Sequence, residues 1–137
     1  MVKGNDIMEI LVVEDDVQNA ELITENIAGW GYSAERTGTG RDALKKIKRK
    51  RFDLIILDIF LPDCEGHTLI PKFKEICSEV GIVTMTGHNS YDLELKVRLQ
   101  GIYCYLLKPF KMNSLKEILD HLSNKKKAKE VDKERLN

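Results

Sequence analysis

The sequence predicts an α/β fold in which five parallel strands form one doubly wound sheet with helices on both faces. Short apolar runs alternate five times with helical patterns between residue 8 and about residue 123, which is typical of repeated β-α units. Four of these runs are followed directly by a polar residue, namely Glu14, Asp58, Thr86 and Lys108. Because the carboxyl ends of parallel strands meet at one edge of a sheet, we expect these residues to converge there.

The predicted strands differ in character along the chain. The first, third, fourth and fifth are apolar runs, which favours strands buried on both faces, whereas the second is polar and indicates an edge position. In chain order they are predicted over residues 8–13, 32–36, 52–57, 82–85 and 103–107. The third is the strongest, because Leu54 to Leu57 are four consecutive apolar residues.

The intervening helices are predicted from apolar residues at three- and four-residue steps, together with capping residues. The first helix is expected to follow a cap at Asp16, the second to cover residues 42–50, and the third to cover residues 69–79 with Pro71 in its first turn. The fourth should follow a cap at Asn89 or Ser90, and the fifth should begin at Asn113 or Ser114. Residues 124–137 carry six basic and three acidic groups and are predicted to form a frayed tail. The expected domain therefore spans residues 7–123.

The overall composition fits one globular domain and excludes several classes of protein. The chain has 137 residues, of which 42% are hydrophobic, and its 22 basic and 22 acidic residues cancel, so a dedicated nucleic-acid binder is not expected. It has neither the ~20-residue apolar stretch of a membrane span nor a signal peptide. We therefore expect a cytoplasmic protein with reduced cysteines, which are Cys64, Cys77 and Cys104.

The residues at the strand ends predict a site that handles phosphate. Carboxylates after the first and third strands repel one another unless a cation lies between them, and a hard site with oxygen ligands suits Mg²⁺. A carboxylate such as Asp58 can also act as a nucleophile toward a phosphoryl group. Lys108 would supply positive charge and Thr86 a hydroxyl donor, which are the groups that phosphoryl transfer needs.

These residues together resemble the receiver domain of two-component response regulators. The resemblance runs from about Glu9 to Leu122 and rests on four motifs that occur in order, each at a strand end. They are Glu14-Asp15-Asp16, Asp58 followed by Leu61-Pro62 and Gly66, Thr86-Gly87, and Lys108-Pro109-Phe110. The resemblance implies a flavodoxin-like fold with strand order 2-1-3-4-5.

The resemblance also implies a role for each site residue. It implies that Asp58 is the phospho-acceptor, that Glu14 and Asp15 are the acidic pair, with Asp15 favoured as the direct Mg²⁺ ligand, and that Phe60 is a metal ligand through its backbone carbonyl. Lys108 is implied to pair with the acceptor and then with the phosphate, and Thr86 to be the switch hydroxyl. Tyr105 is the implied inward-turning aromatic, with Gly87 and Pro109 in supporting positions. Glu14 departs from the commoner Asp. The bulky Phe60 is expected to slow attack of water on the phosphate.

The function that the resemblance implies is a phosphorylation-activated switch, with a sensor histidine kinase or a phosphotransfer protein as the donor. The switch is expected to change the surface of the fourth helix, fifth strand and fifth helix, and thereby to control a partner protein. Candidate surface positions are Asp92, Glu94, Lys96, Tyr105 and Lys116. We expect a monomer or a phosphorylation-dependent dimer that acts as a stand-alone regulator, without turnover of small molecules.

Two other functions are compatible with parts of the pattern. Phosphatases of the haloacid dehalogenase type also use an Asp nucleophile with Mg²⁺, but their Asp-x-Asp-x-Thr motif is matched here by residues 58–62, which contain no second acid. The alternative to a phosphorylation switch on the same fold is a protein-interaction module that works without phosphorylation. The intact Asp58 and Lys108 argue against that alternative.

Overall fold

The computed structural model describes residues 7–136, in which one parallel sheet lies between two layers of helices. The strands are β1 (Glu9–Val13), β2 (Ser33–Thr37), β3 (Leu54–Asp58), β4 (Gly81–Thr86) and β5 (Cys104–Leu107). The helices are α1 (Val17–Gly29), α2 (Gly40–Arg49), α3 (Ile70–Ile76), α4 (Tyr91–Arg98) and α5 (Met112–Leu136), and a 3₁₀ turn (Gly66–Leu69) leads into α3. The predicted α/β fold is therefore confirmed.

The strand order is β2-β1-β3-β4-β5, and every neighbouring pair is parallel. This order confirms the one implied by the resemblance, and the polar strand β2 lies at an edge as expected. Asp58 is paired with Met85, and Thr86 with Leu107. The carboxyl ends of the three strands β3, β4 and β5 are therefore level with one another.

Each face of the sheet carries its own apolar core. On one face, β-strand residues such as Leu11, Ile55 and Leu57 pack with residues of α2, α3 and α4. On the other face, residues such as Ile10 and Ile56 pack with α1 and α5. Because successive strand residues point to opposite faces, a strand covered on both sides must be apolar throughout, which explains the unbroken runs in the sequence.

Side-chain caps fix where the helices begin. Asp16 accepts a hydrogen bond from the backbone N–H of Asn19 at 2.9 Å, which confirms its predicted role as the cap of α1. Ser90 accepts from the N–H of Leu93 at 3.1 Å, so Ser90 rather than Asn89 caps α4. This cap places the first turn of α4 directly after the loop that follows β4.

The third and fifth helices differ from the sequence prediction. The predicted helix over residues 69–79 is shorter, because α3 ends at Ile76. The stretch predicted to fray beyond residue 123 instead continues α5 to Leu136, and residue 137 lies outside the described residues. No Gly or Pro interrupts α5, and an ion pair of 3.1 Å joins Lys126 Nζ in this extension to Oδ2 of Asp53, the residue before β3.

The helices within residues 7–136 do not meet the requirements of a membrane span, since none of them is both long enough and apolar enough to cross a bilayer. The longest, α5, is rich in Lys and Glu along its second half.

Candidate phosphate and metal site

Four elements of the sheet bring the predicted site residues together. Glu14 directly follows β1, and Asp58 and Thr86 are the last residues of β3 and β4. Lys108 directly follows β5. The level strand ends therefore place Glu14, Asp58 and Lys108 in direct contact, as the sequence predicts.

Lys108 links two carboxylates that come from different strands. Its Nζ lies 2.5 Å from Oε1 of Glu14 and 2.9 Å from Oδ2 of Asp58. The side chains of Glu14, Asp58 and Lys108 are 1%, 8% and 23% exposed. Because these charges are largely removed from water, the two carboxylates depend on Lys108 for stabilisation, and Lys108 depends on them.

A third carboxylate completes an acidic cluster. Oxygen atoms of Glu14, Asp15 and Asp58 all lie within 4.8 Å of one another, with Asp15 exposed at the mouth of the site. Three carboxylates against one ammonium leave two net negative charges. A single divalent cation would neutralise this excess.

The donor atoms fit Mg²⁺. All three side chains of the cluster offer carboxylate oxygens, which Mg²⁺ prefers, and a partly open site leaves room for the waters that this ion retains. Oε2 of Glu14 is buried and has no hydrogen-bond partner among the described residues. A buried oxygen without a donor is costly, and a cation with its water shell would satisfy it.

The ionisation of this cluster is shifted by its surroundings. Burial and then the neighbouring Asp58 raise the pKa of Glu14 above its ordinary value of 4.5, and hydrogen bonds from Lys108 and Asn19 offset this rise only in part. Burial alone would lower the pKa of Lys108, but its hydrogen bonds with Glu14 and Asp58 outweigh that effect and raise it above 10.5. Lys108 is therefore a cation at any physiological pH.

The loop after Asp58 is wrapped tightly around that residue. Oδ1 of Asp58 accepts a hydrogen bond from the backbone N–H of Phe60 at 3.0 Å. The chain then turns back, so that a Cβ placed on Gly66 would lie only 2.2 Å from the backbone oxygen of Asp58. Gly66 is thus required for this close approach, which explains its place in the motif after Asp58.

The two predicted switch residues lie next to this pocket. The hydroxyl of Thr86 accepts from the backbone N–H of His88 at 3.0 Å and donates to the backbone oxygen of His88 at 3.3 Å. Tyr105 lies on β5 with its side chain turned inward, and it is 8% exposed. Its hydroxyl contacts Oδ1 of Asn89 at 3.5 Å. The loop that begins after Thr86 therefore contacts both Thr86 and Tyr105.

The remaining predicted site residues are also at this end of the sheet. The half-exposed Phe60 ring meets the His88 ring edge-on, with 5.3 Å between centroids. A Cβ on Gly87 would lie 4.0 Å from Cβ of Lys108, which is ordinary contact, and the Lys108-Pro109 peptide bond is cis. The metal-binding role of the Phe60 carbonyl stays a prediction.

Two contacts of the site have no counterpart in the sequence prediction. The amide of Asn19 on α1 donates a hydrogen bond to Oε1 of Glu14. Asp63, in the loop after β3, accepts from the backbone N–H groups of Gly40 and Arg41 at 3.0 Å each and thereby holds the start of α2. The only sequence signal for Asn19 was a polar residue in the first turn of a helix that starts beside the acidic cluster.

Comparison with known proteins points to one family. A model of the response regulator receiver domain matches residues 10–120. The transcriptional regulatory protein ZraR of Salmonella typhimurium is 30% identical over 120 residues, which are 88% of this chain and 27% of that protein. The chain thus spans about a quarter of the length of this curated relative.

Solved structures agree with this assignment. The signal receiver domain of a LuxO repressor protein from Vibrio parahaemolyticus superimposes with a TM-score of 0.84 at 28% identity, covering 91% of this chain and 96% of that chain. The beryllofluoride-activated NtrC4 receiver domain dimer gives a TM-score of 0.81 at 31% identity, covering 85% and 97% of the two chains.

Proposed function

Since the chain belongs to the response regulator receiver family, we propose that it is a switch that accepts a phosphoryl group on Asp58 from a phospho-histidine donor. Phosphorylation switching is general in this family, and receiver domains are signalling switches rather than enzymes that turn over small molecules. The donor would be a sensor histidine kinase or a phosphotransfer protein. The observation that carries the proposal is the contact of Lys108 with both Asp58 and Glu14 at the strand ends.

The proposed chemistry is a direct transfer. A carboxylate oxygen of Asp58 attacks the phosphorus of the phospho-histidine, the new P–O bond forms as the P–N bond breaks, and the released imidazole takes up a proton. Lys108 already lies 2.9 Å from Oδ2 of Asp58, so its ammonium is placed to pair with the charge of the transferred group. Such positioned positive charge is the main contribution that proteins make to phosphoryl transfer.

Mg²⁺ is the proposed cofactor of this step. Glu14, Asp15 and Asp58 would hold it, together with the backbone carbonyl of Phe60. When bound, Mg²⁺ would neutralise the carboxylates and the charge on the phosphoryl oxygens. The acidic cluster and the unpartnered Oε2 of Glu14 support this assignment.

The output of the switch is proposed to pass through the loop after β4. To reach a phosphate on Asp58, the hydroxyl of Thr86 must give up its contacts with His88, and this change would move the residues before α4. Tyr105 contacts the same loop through Asn89. Phosphorylation would thus bias the surface of α4, β5 and α5 between two states.

That surface is suited to binding another protein. Three apolar residues at four-residue steps are exposed to solvent, namely Tyr91 and Leu95 on α4 and Leu99 directly after it. Exposed apolar side chains in a row on one helix face favour a protein partner. A dimer of receiver domains is seen in a similar structure, so a second copy of this chain is one proposed partner and a downstream target is the other.

Intact-mass spectrometry after incubation with acetyl phosphate tests the transfer. We expect one phosphoryl adduct that requires Mg²⁺ and is absent from Asp58→Ala, while Asp92→Ala on the exposed face of α4 is labelled like the native chain. Turnover of many molecules of donor per chain would instead favour a phosphatase. Absence of labelling, with both acetyl phosphate and a kinase, would favour an interaction module that does not use phosphorylation.

A further inference from the structure

Asn19 contacts the candidate metal site from outside the sheet. Its side-chain Nδ2 donates to Oε1 of Glu14, and the same oxygen accepts from Lys108 Nζ at 2.5 Å. Asn19 itself is held in place, because its backbone N–H donates to the capping carboxylate of Asp16 at 2.9 Å. The start of α1 therefore carries a fixed neutral donor to the Glu14 carboxylate.

The two oxygens of Glu14 have different surroundings. Oε1 receives both donors, whereas Oε2 is buried and has no hydrogen-bond partner among residues 7–136. A Glu side chain has one more rotatable bond than an Asp and loses more rotamer freedom when it is fixed. A donor that holds Oε1 therefore fixes the direction in which Oε2 is presented.

Lys108 cannot perform this task alone. Its ammonium is shared with Asp58 at 2.9 Å, and in the proposed switch it also pairs with the phosphoryl group. Asn19 carries no charge, so it does not compete with a divalent cation as a second ammonium would. The hydrogen bond from Asn19 to Glu14 therefore does not depend on which group Lys108 is paired with.

We infer that Asn19 is a positioning residue for the metal site, which holds the longer Glu14 side chain so that Oε2 faces the cation. The inference rests on the proposed Mg²⁺ site and names a residue that acts through Glu14 rather than as a ligand. Groups that orient metal ligands in this way typically change metal affinity by about 10–100-fold when they are removed.

The test compares Mg²⁺ binding by the native chain, Asn19→Ala and Gln18→Ala, followed by NMR titration of the backbone amides around residue 58. Alanine favours the helix, so α1 is retained, and Gln18 is the exposed neighbour of Asn19. We expect Asn19→Ala to raise the Mg²⁺ dissociation constant by about 10-fold or more, whereas Gln18→Ala should stay within about twofold of native. At saturating Mg²⁺, the rate of labelling by acetyl phosphate should return to the native value.

A double-mutant cycle separates positioning from direct ligation. If Asn19 acts through Glu14, then Asn19→Ala should have no further effect on affinity in a Glu14→Ala background. A further loss in that background, or an unchanged dissociation constant in Asn19→Ala alone, would overturn the inference. A native chain that binds no Mg²⁺ would overturn the proposed metal site as well, whereas native binding with an unaffected Asn19→Ala would overturn only the role of Asn19.

Discussion

Among residues 7–136, Lys108 supplies the ammonium that pairs with Glu14 and Asp58, and replacing it with Met removes that charge while preserving most of the side-chain volume. The carboxylates of Glu14 and Asp58 are then left buried without their shared partner. Breaking a buried ion pair by removing one partner costs about 3–5 kcal/mol. Because Lys108 is 23% exposed, water reaches the site and the cost falls at the lower end of this range. We expect the free energy of unfolding to fall by about 3 kcal/mol, or roughly 10 °C in Tm.

The size of this loss should depend on pH. Because the pKa of Glu14 is raised in the folded protein, protonation of Glu14 stabilises the fold fully below its ordinary pKa of 4.5. This contribution to the free energy of unfolding is lost as the pH rises through the raised pKa. The hydrogen bond from Lys108 lowers the pKa of Glu14, so removing Lys108 should raise that pKa further. In metal-free buffer the variant should therefore be more strongly destabilised at about pH 7.5 than at about pH 5.

Mg²⁺ should compensate for the missing ammonium. The cluster of Lys108→Met carries one more net negative charge than the native cluster, so saturating Mg²⁺ is expected to stabilise the variant more than it stabilises the native chain. Urea unfolding followed by circular dichroism, with and without Mg²⁺, measures both effects. Lys111→Met, at an exposed position three residues away, is the matched control and should unfold like the native chain.

Two results would contradict the expected role of Lys108. Native-like stability of Lys108→Met in metal-free buffer at about pH 7.5 would mean that the ion pairs do not stabilise the fold. A Mg²⁺ effect no larger than that of the native chain would mean that the cation does not enter the cluster that Lys108 neutralises.

Other substitutions test the loop between Asp58 and Gly66 and the packing of α5. Gly66→Ala should unfold at a lower urea concentration and lose labelling by acetyl phosphate, because its Cβ would lie 2.2 Å from the backbone oxygen of Asp58. The control Gly29→Ala, which has open space around its Cβ, should be labelled like the native chain. Normal labelling of Gly66→Ala would contradict the close approach of the loop to Asp58. Tyr32→Phe should lose about 1 kcal/mol in urea unfolding, since the Tyr32 hydroxyl donates to Oδ1 of Asp120 at 2.5 Å. Burial and this contact also raise the pKa of Tyr32 to about 12, and the ultraviolet titration of the phenol checks that value.

Much of the fold and of the site was predictable because it depends on local patterns. Continuous apolar runs mark strands covered on both faces, and the residue after each run must lie at the carboxyl edge of the sheet. Glu14, Asp58 and Lys108 met in this way, although 44 and 50 residues separate them in turn along the chain. Asp16 was recognisable as a cap because capping acts within one helical turn.

The contacts that were not predicted join elements whose spacing depends on packing. The end of α5 was misplaced because a run of Lys and Glu is typical of both a solvated tail and a helix, and the ion pair of Lys126 with Asp53 spans 73 residues. The orientation of Thr86 toward His88 likewise depends on the path of a loop.

Which residues lie at the carboxyl edge of the sheet thus follows from the amino-acid pattern, since strand periodicity and parallel connections leave little choice. How their side chains share partners depends instead on tertiary packing. Asn19 reaches Glu14 because of the angle at which α1 packs on the sheet, and Asp63 holds α2 because two loops lie side by side. Such angles result from the packing of whole faces, which no local pattern of residues specifies.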